Sequence, residues 1–170
     1  MDKKKITEST QFLTFKLGDE IFALEISTVR EVLEFTTVTR VPQTPKDMQG
    51  VINLRGHVVP VIDMRLKFGM SEAEKTVNTC VIITEVTIDE EITLLGAMVD
   101  SVQEVMELEP DQIEPPPRIG TLLNTEFIQG MGKRDDQFII ILNVNRIFST
   151  EELAIAKDSQ DLAEAVDSAV

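Results

Sequence analysis

The stretch that most constrains this chain runs from Val51 to Asp63. It holds two apolar, largely β-branched runs joined at Arg55-Gly56-His57. Branched side chains pack well on a pleated surface, so both runs are predicted strands. Gly56 can adopt the positive φ of a tight connection, and the whole reads as a β-hairpin. A guanidinium and an imidazole then sit beside its turn. Pro60 offers no N–H to a ladder, so its nitrogen should face an edge or a bulge.

The same signals recur along the chain. Gln11 to Leu17 and Ile21 to Ile26 flank the turn residues Gly18-Asp19-Glu20, the pattern of a second hairpin. Thr28 and Glu31 have capping-box spacing. With Val29, Val32 and Leu33 on one stripe, they predict a short helix that leaves Arg30, Glu31 and Glu34 exposed. Thr36 to Val41 is a predicted strand stopped by Pro42. Thr44 to Gly50 has a cap, a proline and a closing glycine, and predicts a very short helix. Strands are expected over Val77–Val86, Ile92–Val99, Ser101–Leu108 and Phe138–Val144, the last one central. Gly96 inside its strand marks a bulge or a close backbone approach. Gly120 to Gly132 reads as a loop with Leu122, Leu123, Phe127, Ile128 and Met131 anchored in a core, and residues 133–136 as a turn. Ser149 and Glu152 form a capping box for a final helix. Many short strands without β-α-β alternation mean a mostly β protein, built as barrels rather than a parallel sheet. No repeat of fixed period is obvious.

A chain of 170 residues can hold one domain with a real core, or two small barrels sharing one. The net charge of −14 argues against nucleic acid or an anionic membrane as the main partner. The charge is uneven. Arg30, Arg40, Lys46, Arg55, Arg65 and Lys67 outnumber the acids among them, whereas Glu104, Glu107, Glu109, Asp111 and Glu114 stand without a base. Two docking faces of different charge and a merely solubilising surface both fit that pattern. The start of the chain has no apolar run of a signal peptide, and no window reaches the ~20 apolar residues of a membrane span, so a cytoplasmic protein is expected.

Catalytic constellations are not found. His57 is the single histidine, so any Ser-His-Asp or Cys-His arrangement would have to use it. His57 and Cys80 alone are too few for a metal site, and no cofactor motif is present. The acidic pairs lie in predicted turns. Asp63, at a strand end, suits a hydrogen-bonding role better than a general base. Cys80, in an apolar run, reads as a small buried hydrophobe. Arg55 stands out. Its guanidinium either bonds Glu31 or a loop carbonyl within the protein, or reaches a partner.

Several segments, in order, resemble the CheW-like family of chemotaxis coupling proteins. They are Phe15-x-Leu17-Gly18-Asp19 with Ala23-Leu24; Val29-x-Glu31-Val32-Leu33; Pro42-x-x-Pro45; Gly50 to Gly56; and Val59-Pro60-Val61-Ile62-Asp63-x-Arg65-x-x-Phe68-Gly69. Gly96-x-x-Val99-Asp100-x-Val102-x-Glu104-Val105, Pro115-Pro116, Gly130-x-Gly132 and Ile140 to Val144 continue the match. It covers about residues 10–150. The resemblance implies a mostly β fold of two intertwined SH3-like five-stranded barrels with short helices and a C-terminal helix. It divides the chain into a flexible N-terminus (1–10), a domain of two barrel subdomains (11–150), and a helix with an acidic tail (150–170). It implies a non-enzymatic adaptor, without cofactor or metal. The expected partners are the cytoplasmic tips of methyl-accepting chemoreceptors and the regulatory domain of the histidine kinase CheA. The expected place is the cytoplasmic side of the membrane-associated array. Receptor binding falls on Arg55 and Glu31 with Val29, Val32 and Gly96, and kinase binding on Gly50, Thr79, Cys80 and Val81. His57 replaces a more usual aliphatic residue and receives no role. A coupler for a non-flagellar pathway is the alternative, and a ligand-binding or enzymatic barrel using His57 a remoter one.

Overall fold

A computed structural model describes residues 9–35, 38–42, 44–115 and 127–158. The chain begins with the hairpin β1 (Thr10–Leu17) and β2 (Glu20–Glu25), then makes β3 (Val29–Glu34) and the hairpin β4 (Met48–Leu54) and β5 (His57–Asp63). The turn of helix α1 (Met64–Lys67) leads to β6 (Cys80–Ile88), β7 (Glu91–Val99) and β8 (Ser101–Leu108). After the two-residue β9 (Ile113–Glu114) come β10 (Ile128–Arg134), β11 (Gln137–Leu142), α2 (Val144–Ile147) and a helix α3 over 150–158.

Two sheets result. The first has the order β8-β1-β2-β11-β10-β9, the second β3-β6-β7-β5-β4. The chain starts in the first sheet, builds all of the second, and returns to the first. Each sheet wraps its own apolar cluster. Phe12, Ala23, Met106, Leu108, Ile139 and Ile141 fill the first; Leu54, Val59, Val61, Val81, Ile83, Leu94 and Met98 fill the second. A larger cluster lies between them, because strands of both sheets are apolar on both faces: Ile82 and Ala97 face it while Val81 and Met98 face inward. Phe15, Phe22, Phe68 and Phe127 stack in series through this shared core, with centroids 5.8, 5.6 and 6.0 Å apart. The arrangement fits two small SH3-like barrels sharing a core, the first carrying β9 as an extra strand.

The two sheets repeat one plan. β11 runs parallel to β2, as β5 runs parallel to β7, and both β4 and β10 bulge before a glycine, Gly50 and Gly130. One constant offset relates Gln49-Gly50 to Gln129-Gly130, Asp63 to Asn143 and Phe68 to Phe148. Asp63 and Asn143 each cap the helical turn that follows, through Arg65 N and Asn145 N. The repeat escapes a sequence scan because few identities survive in it.

The two sheets are clamped at one point. Arg65 donates to both oxygens of Asp100, through Nε at 2.7 Å and Nη2 at 2.6 Å, and Gly18 N donates to Asp100 Oδ2 at 2.7 Å. Burial would raise the Asp100 carboxyl, but these donors outweigh it and hold it below the usual range.

Three local expectations change. Residues 29–34 form a strand, not a helix, paired to β6. A bulge between Val29 and Glu31 puts Val29 opposite Thr84 and Val32 opposite Ile82, on one face, so the three-residue spacing imitates a helical stripe. Thr28 Oγ1 closes the preceding 3-10 turn by donating to Glu25 O at 2.7 Å. In place of a helix over 44–50 there is a single turn at 45–48, with Met48 N donating to Pro45 O at 3.0 Å, and β4 begins at Met48. The stretch 120–132 yields the strand β10; Leu122 and Leu123 lie outside the described residues, as do Thr36 and Thr37 of the strand expected over 36–41. Hairpin 51–63 is present and starts three residues earlier, and Ser149 with Glu152 forms the expected capping box: Ser149 N donates to Glu152 Oε1 at 2.8 Å, Glu152 N to Ser149 Oγ at 3.1 Å.

Candidate functional site

The tip of the β4–β5 hairpin is a two-residue turn. Arg55 has φ 49° and Gly56 φ 88°, the left-handed pair that matches the twist of such hairpins. Asn53 Oδ1 accepts from Gly56 N at 2.8 Å and fixes the turn. Arg55 is carried outward, its side chain 68% exposed, and its Nη2 donates to Glu31 Oε1 on β3. Strands β3 and β4 are the two edges of the second sheet, so this ion pair spans the opening between them.

Backbone contacts draw the same edges together. Thr39 and Val51 exchange hydrogen bonds of 2.9 and 2.8 Å. Gly50 makes that approach possible, since a Cβ there would lie 2.3 Å from Thr39 O. Its buried position beside the segment 39–40 makes it a closing element of the barrel. Gly96 is buried too; its strand does not bulge, and what a Cβ on it would meet is a side chain, Val81 Cγ1 at 2.8 Å, with the backbone of Pro60 farther off at 3.4 Å, so the glycine makes room for Val81 rather than for another backbone.

The sequence-derived site therefore separates into parts. Glu31 and Arg55 meet. Glu31 lies opposite Ile83, on the face that lines the second cluster, whereas Val29 and Val32 lie on the other face of β3, Val32 at 39% exposure. Gly96 and Val81 are internal. Thr79 is buried: its carbonyl accepts from Phe35 N at 3.0 Å, and its Oγ1 accepts from Thr76 N at 2.9 Å. Cys80 is half-buried against the shared core, with Sγ donating to Asn78 O at 3.2 Å. His57 is exposed next to the turn.

The basic stretch is largely compensated from within. Arg30 pairs with Glu85 at 2.9 Å, Arg55 with Glu31, Arg65 with Asp100, and Lys67 with Asp47 at 3.3 Å and with Glu152. Asp63 is buried; burial pushes its carboxyl up, while the amides of Leu66 and Arg65 oppose that, the behaviour of a capping residue. Among the described residues no group of three or more His, Cys, Asp or Glu could hold a metal, and no helix is long and apolar enough to cross a membrane.

One feature of the surface was not visible in the sequence. At the tip of the other hairpin, Arg134 of β10 donates to Glu104 of the edge strand β8 at 2.6 Å. A cleft of about 380 Å³ opens there, floored by Ile21, Met106 and Ile139. The signal that could have found it is the repeat, which places the Asp135-Asp136 turn at the same offset from Arg55-Gly56.

The fold is thus a two-sheet β domain with an arginine–glutamate pair displayed at a hairpin tip. Comparison with known proteins specifies the class. The model of the CheW-like domain matches residues 11–152, and the chain belongs to that family. It is 35% identical over 149 residues to chemotaxis protein CheW of Klebsiella aerogenes, covering 88% of this chain and 87% of that one. It is 34% identical to chemotaxis protein CheW of Helicobacter pylori, covering 85% and 84%. The crystal structure of the scaffolding protein TtCheW from Thermoanaerobacter tengcongensis superposes with a TM-score of 0.75 at 35% identity, covering 84% of this chain and 90% of that one.

Proposed function

We propose that this chain is a non-enzymatic chemotaxis scaffold that joins the cytoplasmic tips of methyl-accepting receptors to the histidine kinase CheA, in arrays beneath the membrane. Family membership supports the scaffold role. The observation that carries the site is the exposed guanidinium of Arg55, held on a two-residue turn and bonded to Glu31. In this reading the receptor offers a carboxylate to Arg55 or a donor to Glu31 and exchanges with their mutual bond. Such a surface pair is worth about 0–1 kcal/mol, so a partner can displace it readily. Val32 adds exposed apolar area on the other face of β3. Val29 and Gly96 act from behind, Gly96 by setting the spacing of β5, β6 and β7.

The kinase would take a different face, assigned to Gly50, Thr79, Cys80 and Val81. Buried as Gly50 and Val81 are, they would shape that face through the edge they close and the strand they pack, with Cys80 the more accessible member. The test is a pull-down with receptor cytoplasmic fragment and CheA separately. Arg55→Ala should reduce receptor capture at least tenfold and leave CheA capture within twofold. Equal loss of both, or of neither, would remove the partition. Swimming in soft agar by a deletion strain separates this reading from a coupler of a non-flagellar pathway.

A further inference from the structure

We propose that Glu152 is a proton-binding site: in the folded chain it holds a proton shared with Asp47, and that proton fastens the helix α3 to the second sheet. The geometry comes first. Glu152 sits in the first turn of α3 with its side chain 1% exposed. Its Oε1 already accepts from Lys67 Nζ and from Ser149 N. Its Oε2 is buried and accepts from no donor. An ionised carboxylate oxygen left bare in the interior is among the costlier arrangements in a protein.

The groups that surround it explain the vacancy. From α1 comes Lys67, itself only 9% exposed; from the turn before β4 comes the Asp47 carboxylate, which Lys67 also holds, at 3.3 Å. From α3 itself comes only the Ser149 amide; Glu151 points to solvent. Two carboxylates thus share one ammonium, and the pair of acids face each other with acceptors only. A proton on Glu152 turns that opposition into an O–H···O bond and balances the charge. Burial, then the Asp47 carboxylate, push the Glu152 carboxyl up, and Lys67 and the Ser149 amide only partly oppose them.

The consequence reaches beyond one side chain. Glu152 and Ala156 are the buried positions of α3, with Leu153 and Ile155 against the shared core. A second polar tie of the helix, Lys157 to Asp89 at 3.3 Å, is exposed. The proton site is thus the inner anchor of α3. Because the folded carboxyl is raised, its contribution is fully present below the ordinary carboxylate range and is lost as pH rises through the folded value. The helix should hold in acid and loosen in base.

Two measurements on the full chain test this. In a carbon-detected carboxyl titration, Glu152 should titrate above the surface glutamates, and Asp47→Asn should bring it back toward them. In amide exchange followed by mass spectrometry and corrected for intrinsic rates, opening of 150–158 should rise by up to about tenfold per pH unit between the ordinary carboxylate range and the folded Glu152 titration and level off above it, and Glu152→Gln should flatten the slope. Titration of Glu152 together with the surface glutamates overturns the proposal. So does a Glu152 titration unmoved by Asp47→Asn, which would leave burial alone as the cause. The titration uses the wild-type chain, so it decides the matter even where Glu152→Gln fails to dock its helix.

Discussion

The two hairpin tips are the same construction put to different ends. In each, an arginine at or beside the turn bonds a glutamate on the opposite edge strand: Arg55 with Glu31 of β3, Arg134 with Glu104 of β8. At the first tip the opening is drawn shut from beneath, by the Thr39–Val51 bridge and the bare backbone of Gly50, so the pair stands on a closed wall. At the second, Glu104 and Arg134 are 59% and 49% exposed and stand over a cleft floored by Ile21, Met106 and Ile139. An identical ion pair is thus rigidly presented in one place and loosely spans a mouth in the other. The lesson is that the backbone under the pair, more than the pair itself, decides what it offers a partner.

The comparison is broken most severely at the glycines. Gly50→Ala puts a Cβ 2.3 Å from a backbone oxygen at φ 153°, where neither atom can yield. Gly130→Ala meets the Cγ2 methyl of Ile113 at 2.8 Å and Glu114 O at 3.1 Å, but both belong to β9, an edge strand only two residues long. We expect Gly50→Ala to cost roughly 3 kcal/mol or more and Gly130→Ala about 1–2 kcal/mol, as read by urea unfolding. Equal losses would mean the second sheet is not closed the way its geometry says.

The next effect lies where the two sheets are joined. Arg65 has Asn145 at the equivalent point of the repeat, so the guanidinium of this clamp has no counterpart there. Asp100→Asn should lose about 2 kcal/mol, the scale of charge-assisted bonds in a partly buried site. The sign follows from the depressed carboxyl. Its contribution is complete above the ordinary aspartate range and disappears as pH falls through the folded value. Wild-type stability should therefore fall more steeply than that of Asp100→Asn as the solution is made acid. Parallel curves would assign acid sensitivity elsewhere.

What could be read from the residues alone follows the same division. The hairpin 51–63 was legible because branched residues run on both sides of Arg55-Gly56, and turn chemistry is local. The barrel class was legible from strand count and spacing. The β3 strand was not, since its bulge needs β6 to exist before Val29 and Val32 can share a face. For Arg55 the choice between an internal bond and a partner contact stayed open, and the structure shows the internal bond to Glu31. Arg134 and Glu104 were not read as a pair: the repeat offset marks the turn at 135–136, but β8 and β10 stand near opposite ends of the first sheet and meet only when it closes. Glu152 was read only as a capping residue. That it also meets Lys67 and Asp47 depends on the packing of three distant segments.

The smallest expected effect on stability falls on the residue proposed to bind the receptor. Arg55→Ala and Arg134→Ala each remove a solvent-exposed ion pair, and each should change stability by less than about 1 kcal/mol. Arg55 also holds a positive φ that disfavours any side chain, so Arg55→Gly should be neutral or slightly stabilising while deleting the same guanidinium. If the first tip is a presenting surface, both Arg55 variants fold normally and lose receptor capture together. Arg134→Ala, at the cleft, should leave that capture unchanged, because its guanidinium contacts Glu104 and Met106 on the far sheet. Capture that survives Arg55→Gly but not Arg55→Ala would point to the turn backbone, rather than the charge, as the recognised element.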